Sequence, residues 1–162
     1  MVEGIIKIVI ISIISLFVVG MTSIFMYLIT DSFFDEFNNS GFNTSDTAKV
    51  ETSAINTLQF LDWVIVLLLG LTILSCLYAG YRYSDPPLFF VVTFFASMFV
   101  GAIGYILDYI FKEVVTTSQF ASVITYFPNT IIICTNLHWI GLACIIISGL
   151  VAYTSRGTPT EI

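Results

Sequence analysis

The sequence predicts an all-α membrane protein with four transmembrane helices in two hairpins. It adds an acidic outer segment and an interfacial or re-entrant segment between helices 3 and 4. Three observations carry this. Residues 58–80 and 88–110 are apolar runs of 23 residues each, joined by the short polar turn 81–87. Each run makes roughly 34 Å of helix at ~1.5 Å per residue, enough to cross a ~30 Å hydrocarbon core. The chain is 57% hydrophobic and 10% charged with mean hydropathy +0.99, against the ~25% charged residues of soluble domains. Two further apolar runs, residues 4–29 and 131–154, flank the central pair. The expected helices are 4–29, 47–80, 88–111 and 131–154, in one domain covering residues 1–162.

The first run is interrupted only by Lys7, which reaches back to the near interface. It is long for a signal-peptide core, and no small-x-small cleavage pattern follows before Asp31. Val2 excludes N-myristoylation. In residues 31–37, Phe33, Phe34 and Phe37 share one helical face, which predicts a short helix lying in the interface, apolar face down. Residues 38–41 (Asn-Asn-Ser-Gly) then break the pattern. Val50, Ala54, Leu58, Leu61 and Ile65 recur at helical spacing, with Ser45 or Asp46 as N-cap. Helix 2 is therefore expected to project about two turns beyond the bilayer. Asn38 and Asn43 each head an N-glycosylation pattern.

Pro86 and Pro87 place the start of helix 3 at Leu88, because a proline in the first turn removes only an N–H that has no partner there. In residues 112–130, Phe120, Val123, Ile124 and Phe127 form the apolar side, with Thr116, Thr117, Ser118 and Ser122 opposite. The segment is too short and polar to span. Residues 128–130 (Pro-Asn-Thr) introduce helix 4, and a short polar tail follows Thr154.

Four spans put both termini on one side, with Lys7, Arg82 and Arg156; Lys49 and Lys112 fall on the other. The positive-inside rule then makes the termini cytoplasmic, or interior in a virion. Residues 31–57 carry five acids against one lysine, a net charge of −4, and make the outer face acidic. The overall charge of −6 argues against nucleic acid as a partner. The expected partners are the lipid bilayer, other membrane subunits or copies of the chain itself.

In lipid, helices associate through close contact of small residues and a few hydrogen bonds. Helix 2 offers Thr72, Cys76 and Gly80; helix 3 offers Ser97, Gly101 and Gly104; helix 4 offers Gly141, Cys144, Ser148 and Ala152. Helix 1 offers Ser12, Ser15, Gly20 and Ser23 less regularly. Helix 3 also carries Phe89, Phe90, Phe94, Phe95 and Phe99, too many to bury in one small bundle, so some face lipid or a partner. The three cysteines (Cys76, Cys134, Cys144) all lie in apolar runs and read as small packing residues rather than disulfide staples.

Ionisable groups inside a span are candidates for function, because burial costs several kcal/mol unless they are paired or hydrated. Asp62, Asp108, Asn136 and His138 lie at the outer ends of helices 2, 3 and 4 and are expected at a similar depth. Such a cluster would suit an Asp–His proton relay or a single-ion site. A hydrated or hydrogen-bonded set of helix-end residues is the plainer expectation, with Trp63 and Trp139 beside them as an interfacial belt. One histidine cannot supply a His-rich metal centre. No HExxH, CxxC, GxSxG or Walker pattern is present, so neither an enzyme nor a bound cofactor is expected. The expected function is a non-enzymatic structural or accessory subunit of a larger membrane assembly, either a multi-subunit complex or a membrane-containing virion. The alternative is a small transporter or oligomeric channel using the Asp/His cluster. No inverted repeat, broken Gly/Pro helix centre or continuous polar face supports that alternative.

Overall fold

The structure, a computed structural model, describes residues 2–41, 44–82, 88–117, 120 and 123–154. Its elements are α1 (Val2–Asn39), α2 (Ser45–Arg82), α3 (Leu88–Val115), the short α4 (Val123–Tyr126), α5 (Pro128–Cys134) and α6 (Leu137–Thr154). Among the described residues there is no strand, and four helices are long and apolar enough to cross a membrane: Gly4–Asn39, Ser45–Arg82, Thr93–Val115 and Leu137–Thr154.

The first helix does not stop near residue 29, and residues 31–37 are not a separate interfacial helix. They are the last turns of α1. No glycine or proline interrupts the stretch, and the Thr30 hydroxyl donates back to Met26 O at 2.8 Å within the helix. Phe33 and Phe37, one turn apart, stack at 5.9 Å. The stop comes at Ser40–Gly41, where Ser40 N donates to Glu36 O and Gly41 takes φ +85°. That left-handed residue after the last turn is the usual way a helix ends.

The N-cap of α2 is Thr44, not Ser45 or Asp46. Thr47 N donates to Thr44 Oγ1 (3.3 Å) and Thr44 N to Thr47 Oγ1 (2.9 Å). This is a reciprocal box with threonine at the place usually held by Glu or Gln. Of the two glycosylation patterns, Asn38 lies in the last turn of α1 with its amide donating to Glu51 at 3.4 Å. Asn43 lies outside the described residues, as do residues 83–87 of the turn, Ser118, Ser122 and the tail with Arg156.

α3 runs one turn past its expected end, to Val115. The apolar side of the segment after it, expected as interfacial or re-entrant, packs on the protein itself. Phe120, Val123 and Phe127 are buried in the protein, and Ile124 alone of the four apolar residues is exposed. Phe120 meets Phe25 edge-on, and Phe127 meets Tyr27. The segment closes the end of the bundle over α1.

α1 touches every other helix and α6 touches α1, α2 and α3, while α2 and α3 barely touch among the described residues. Close approaches fix the directions. Asp62 of α2 accepts from Thr130 N of α5, and farther along both, a Cβ on Gly80 would lie 2.5 Å from Ser148 O of α6, so α2 runs parallel to the fourth span. Gly101 faces Leu142, and a Cβ on Gly104 would lie 2.6 Å from the Cα of His138, so α3 and α6 are antiparallel. Ile13 meets Gly141, and Gly20 meets Cys134, so α1 also runs against the fourth span. The Ser148 hydroxyl donates to Cys76 O at 2.9 Å across the α2–α6 contact. Thr72 is buried there with its hydroxyl turned back to Leu68 O. Val9, Ile13, Leu16, Ile65, Val100, Leu137 and Ile145 fill the centre. Phe94, Phe95 and Phe99 face outward; the side chains of Phe89 and Phe90 lie outside the described residues.

Candidate functional site

The fourth span, expected as one helix from 131 to 154, is broken. α5 starts earlier, at Pro128, and ends at Cys134; α6 starts at Leu137. No glycine or proline lies at the joint. The polar side chains of Thr135 and Asn136 make it. Thr135 Oγ1 donates to Ile131 O (2.7 Å) and Asn136 Nδ2 to Ile132 O (2.8 Å), supplying donors to carbonyls at the end of α5. Asn136 N tightens onto Ile133 O, three residues back.

A broken helix creates a second helix N-terminus, and each N-terminus presents N–H groups without intrahelical partners. Both are met by a carboxylate from another helix. At α5, Phe127 has no polar side chain to cap with, and Pro128 has no N–H to be capped. Asp62 of α2 takes the next two groups, accepting from Asn129 N (3.2 Å) and Thr130 N (2.6 Å). It also accepts from Asn129 Nδ2 at 2.8 Å. At α6, Asp108 of α3 accepts from Leu137 N at 2.7 Å and pairs through its other oxygen with Nδ1 of His138. Asp62 and Asp108 are 4% and 2% exposed, so these bonds replace water almost entirely. Hydrogen bonds to a charged group contribute about 1.5–3 kcal/mol each, and the positive end of a helix dipole favours an anion at the same place.

The four residues expected together therefore divide. Asp108 and His138 meet. Asp62 binds Asn129 and Thr130 instead. These partners precede Leu137 and His138 by seven to nine residues, roughly 10–13 Å of helical rise, so the two carboxylates act at different depths. Asn136 bonds within its own segment, to Ile132 O and Thr135 Oγ1. The aromatic neighbours flank the inner pair: Tyr105 lies 6.3 Å and Trp139 4.9 Å from the His138 ring, centroid to centroid. Among the described residues no group of three or more His, Cys, Asp or Glu side chains could hold a metal ion.

Residues 129 and 130 had carried only a helix-start signal in the sequence, not a binding role. Asn136, a strong N-cap type inside an apolar run, was the available sign of the break. Cys134 adds a weak cross-span bond, its thiol donating to Leu16 O at 3.7 Å. Comparison with protein-family models, with curated proteins and with solved structures returns no match.

Proposed function

We propose that this chain is a non-enzymatic structural or accessory subunit of a larger membrane assembly, a multi-subunit complex or a membrane-containing virion. It forms one domain of two helical hairpins, with both termini on the cytoplasmic or interior side and the acidic segment 31–57 outside. The observation that carries this is the use made of the two buried carboxylates. Asp62 is committed to two backbone N–H groups of the fourth span and Asp108 to one, with His138 on its other oxygen, which is the work of a joint rather than of a reacting centre. The outward-facing Phe94, Phe95 and Phe99 on α3 give surface for neighbours in the membrane. The test is the mass of the native particle in mild detergent, with its chains identified. A particle much heavier than the 18.0 kDa chain, containing other polypeptides, is the expected result; a lone monomer overturns it.

The transport reading keeps one specific support, the Asp108–His138 pair. It requires a pH-dependent flux in liposomes that His138→Ala abolishes without unfolding the protein. Absent or unchanged flux removes it.

A further inference from the structure

The inward side of α6 is taken up by the other helices: Leu137, Gly141, Cys144, Ile145, Ser148 and Ala152 are buried. On the outward side, exposure recurs at Asn136, Trp139, Ala143, Ile146, Leu150 and Tyr153. The steps alternate between three and four, the spacing of a seam along which two helices pack lengthwise. Lipid would cover the apolar positions equally well. Asn136, at the joint, is the position it does not suit.

The Asn136 amide is half satisfied. Nδ2 donates to Ile132 O at 2.8 Å and, over a longer 3.3 Å, to Thr135 Oγ1. Among the described residues nothing donates to Oδ1. The side chain also lies inside the hydrocarbon. It follows Ile131, the start of its apolar run, by five residues, roughly 7 Å of rise. The count along α1 is deeper still. Gly20 meets Cys134 and precedes the end of its own apolar run, Ile29, by nine residues, roughly 13 Å. Acyl chains offer no donor at either depth, and an amide oxygen facing them without one is costly.

A second copy of the chain meets this need by symmetry. Copies cross the membrane in one orientation, so a twofold axis along the membrane normal sets each residue of the contact opposite itself, at equal depth. Asparagine carries both donors and an acceptor, so Asn136 is complementary to itself. An unlike helix would have to bring a polar group of its own to this one depth. We propose that the exposed face of α6 pairs with the same face of a second copy in a parallel twofold dimer. Nδ2 of each Asn136 gives up its longer bond to Thr135 and donates to Oδ1 of the other copy's Asn136. Ala143, two turns farther in, has only a methyl group and lets the two helices come close, with Trp139, Ile146 and Leu150 packing around it. One asparagine on such a seam also fixes the register and the number of strands.

Such a dimer is one contact within the subunit reading. The purified full chain suffices to test it, so its failure leaves that reading to the mass of the native particle. Sedimentation equilibrium in mild detergent, over a range of protein-to-detergent ratios, counts chains per particle, and thermal melts check the fold. The expected result is two chains per wild-type particle and at least tenfold weaker association in Ala143→Ile. That variant puts a branched side chain at the close approach but lies on the outer face, away from the joint. Asn136→Ala weakens association several-fold, and Asn136→Gln keeps most of it. Oxidative cross-linking locates the contact against a background of native cysteines that are all buried. Ala143→Cys links two copies. Gly70→Cys, on the exposed side of α2 with nothing within 4 Å of an added Cβ, does not. Single-chain wild-type particles at every ratio overturn the proposal, leaving the face to lipid. Equal association of the wild type and Ala143→Ile overturns it, as does linking through Gly70→Cys in place of Ala143→Cys. A different polypeptide captured at Ala143→Cys overturns it too, because an unlike helix then covers the face.

Discussion

The two ends of α6 are held by different physics. At its start, charge does the holding: Asp108 accepts from Leu137 N and His138, and one step farther out Asp62 accepts from Asn129 and Thr130. Toward its other end no carboxylate enters the contact among the described residues. Gly80 lets α2 come within touching distance of the Ser148 backbone, and one hydroxyl bond to Cys76 O crosses the seam. The difference follows from helix continuity. Where the fourth span is unbroken its backbone is self-satisfied, and only shape is left to bind it. Where it is broken it presents orphan N–H groups, and a buried anion becomes worth its desolvation cost.

Removing the charge should therefore cost most. Asp62→Ala strands three donors (Asn129 N, Asn129 Nδ2 and Thr130 N) and Asp108→Ala two (Leu137 N and His138 Nδ1), an expected loss of about 3 kcal/mol by denaturant unfolding in mixed micelles. Asparagine should not restore it fully, since its amide turns a donor toward donors. Equal stability of wild type and Asp108→Ala would show that the break does not need its cap. Next comes shape. Gly80→Ala puts a methyl group against backbone that cannot swing away, and should cost about 1–3 kcal/mol. Gly70→Ala, where nothing lies within 4 Å of the added Cβ, should instead be neutral or stabilise by about 0.5–1 kcal/mol. If both behave alike, close approach is not what joins α2 to α6. Ser148→Ala should lose about 1 kcal/mol, the size of one neutral hydrogen bond. The smallest effect is expected at the far tip, where the 3.4 Å Asn38–Glu51 bond is long and partly exposed. Asn38→Ala should change the melting profile by less than about 0.5 kcal/mol.

Hydropathy and length alone located the four spans, because a run of apolar residues leaves the backbone no other way to satisfy itself in lipid. The ends of helices were harder to read. Residues 31–37 look like an interfacial helix by their phenylalanine face, yet nothing in residues 26–37 stops α1. The N-cap of α2 fell one residue before the expected pair because threonine, at Thr47, took the reciprocal role. Asp62 and Asp108 were conspicuous as acids inside apolar runs, but their partners were not, since a backbone N–H has no letter in a sequence. Placing all four polar residues in one layer assumed a straight fourth helix. The turn at Thr135–Asn136 both moved Asn136 out of the group and created the N-terminus that Asp108 serves.

α1 and α2 are 38 residues each, roughly 57 Å of helix, against the ~30 Å of a hydrocarbon core. The excess works as a ruler. Counted from the apolar runs that end at residue 29 and resume at 58, the Asn38–Glu51 end, with Asp46, Lys49 and Glu51, stands roughly 10–14 Å beyond the hydrocarbon. At physiological salt an unshielded charge is felt over only ~8 Å. The charges at the tip therefore lie farther from the end of the apolar runs than that screening length. Whatever meets it meets it at a fixed standoff, and inserting or deleting a helical turn in both α1 and α2 would reset that height by about 5.4 Å.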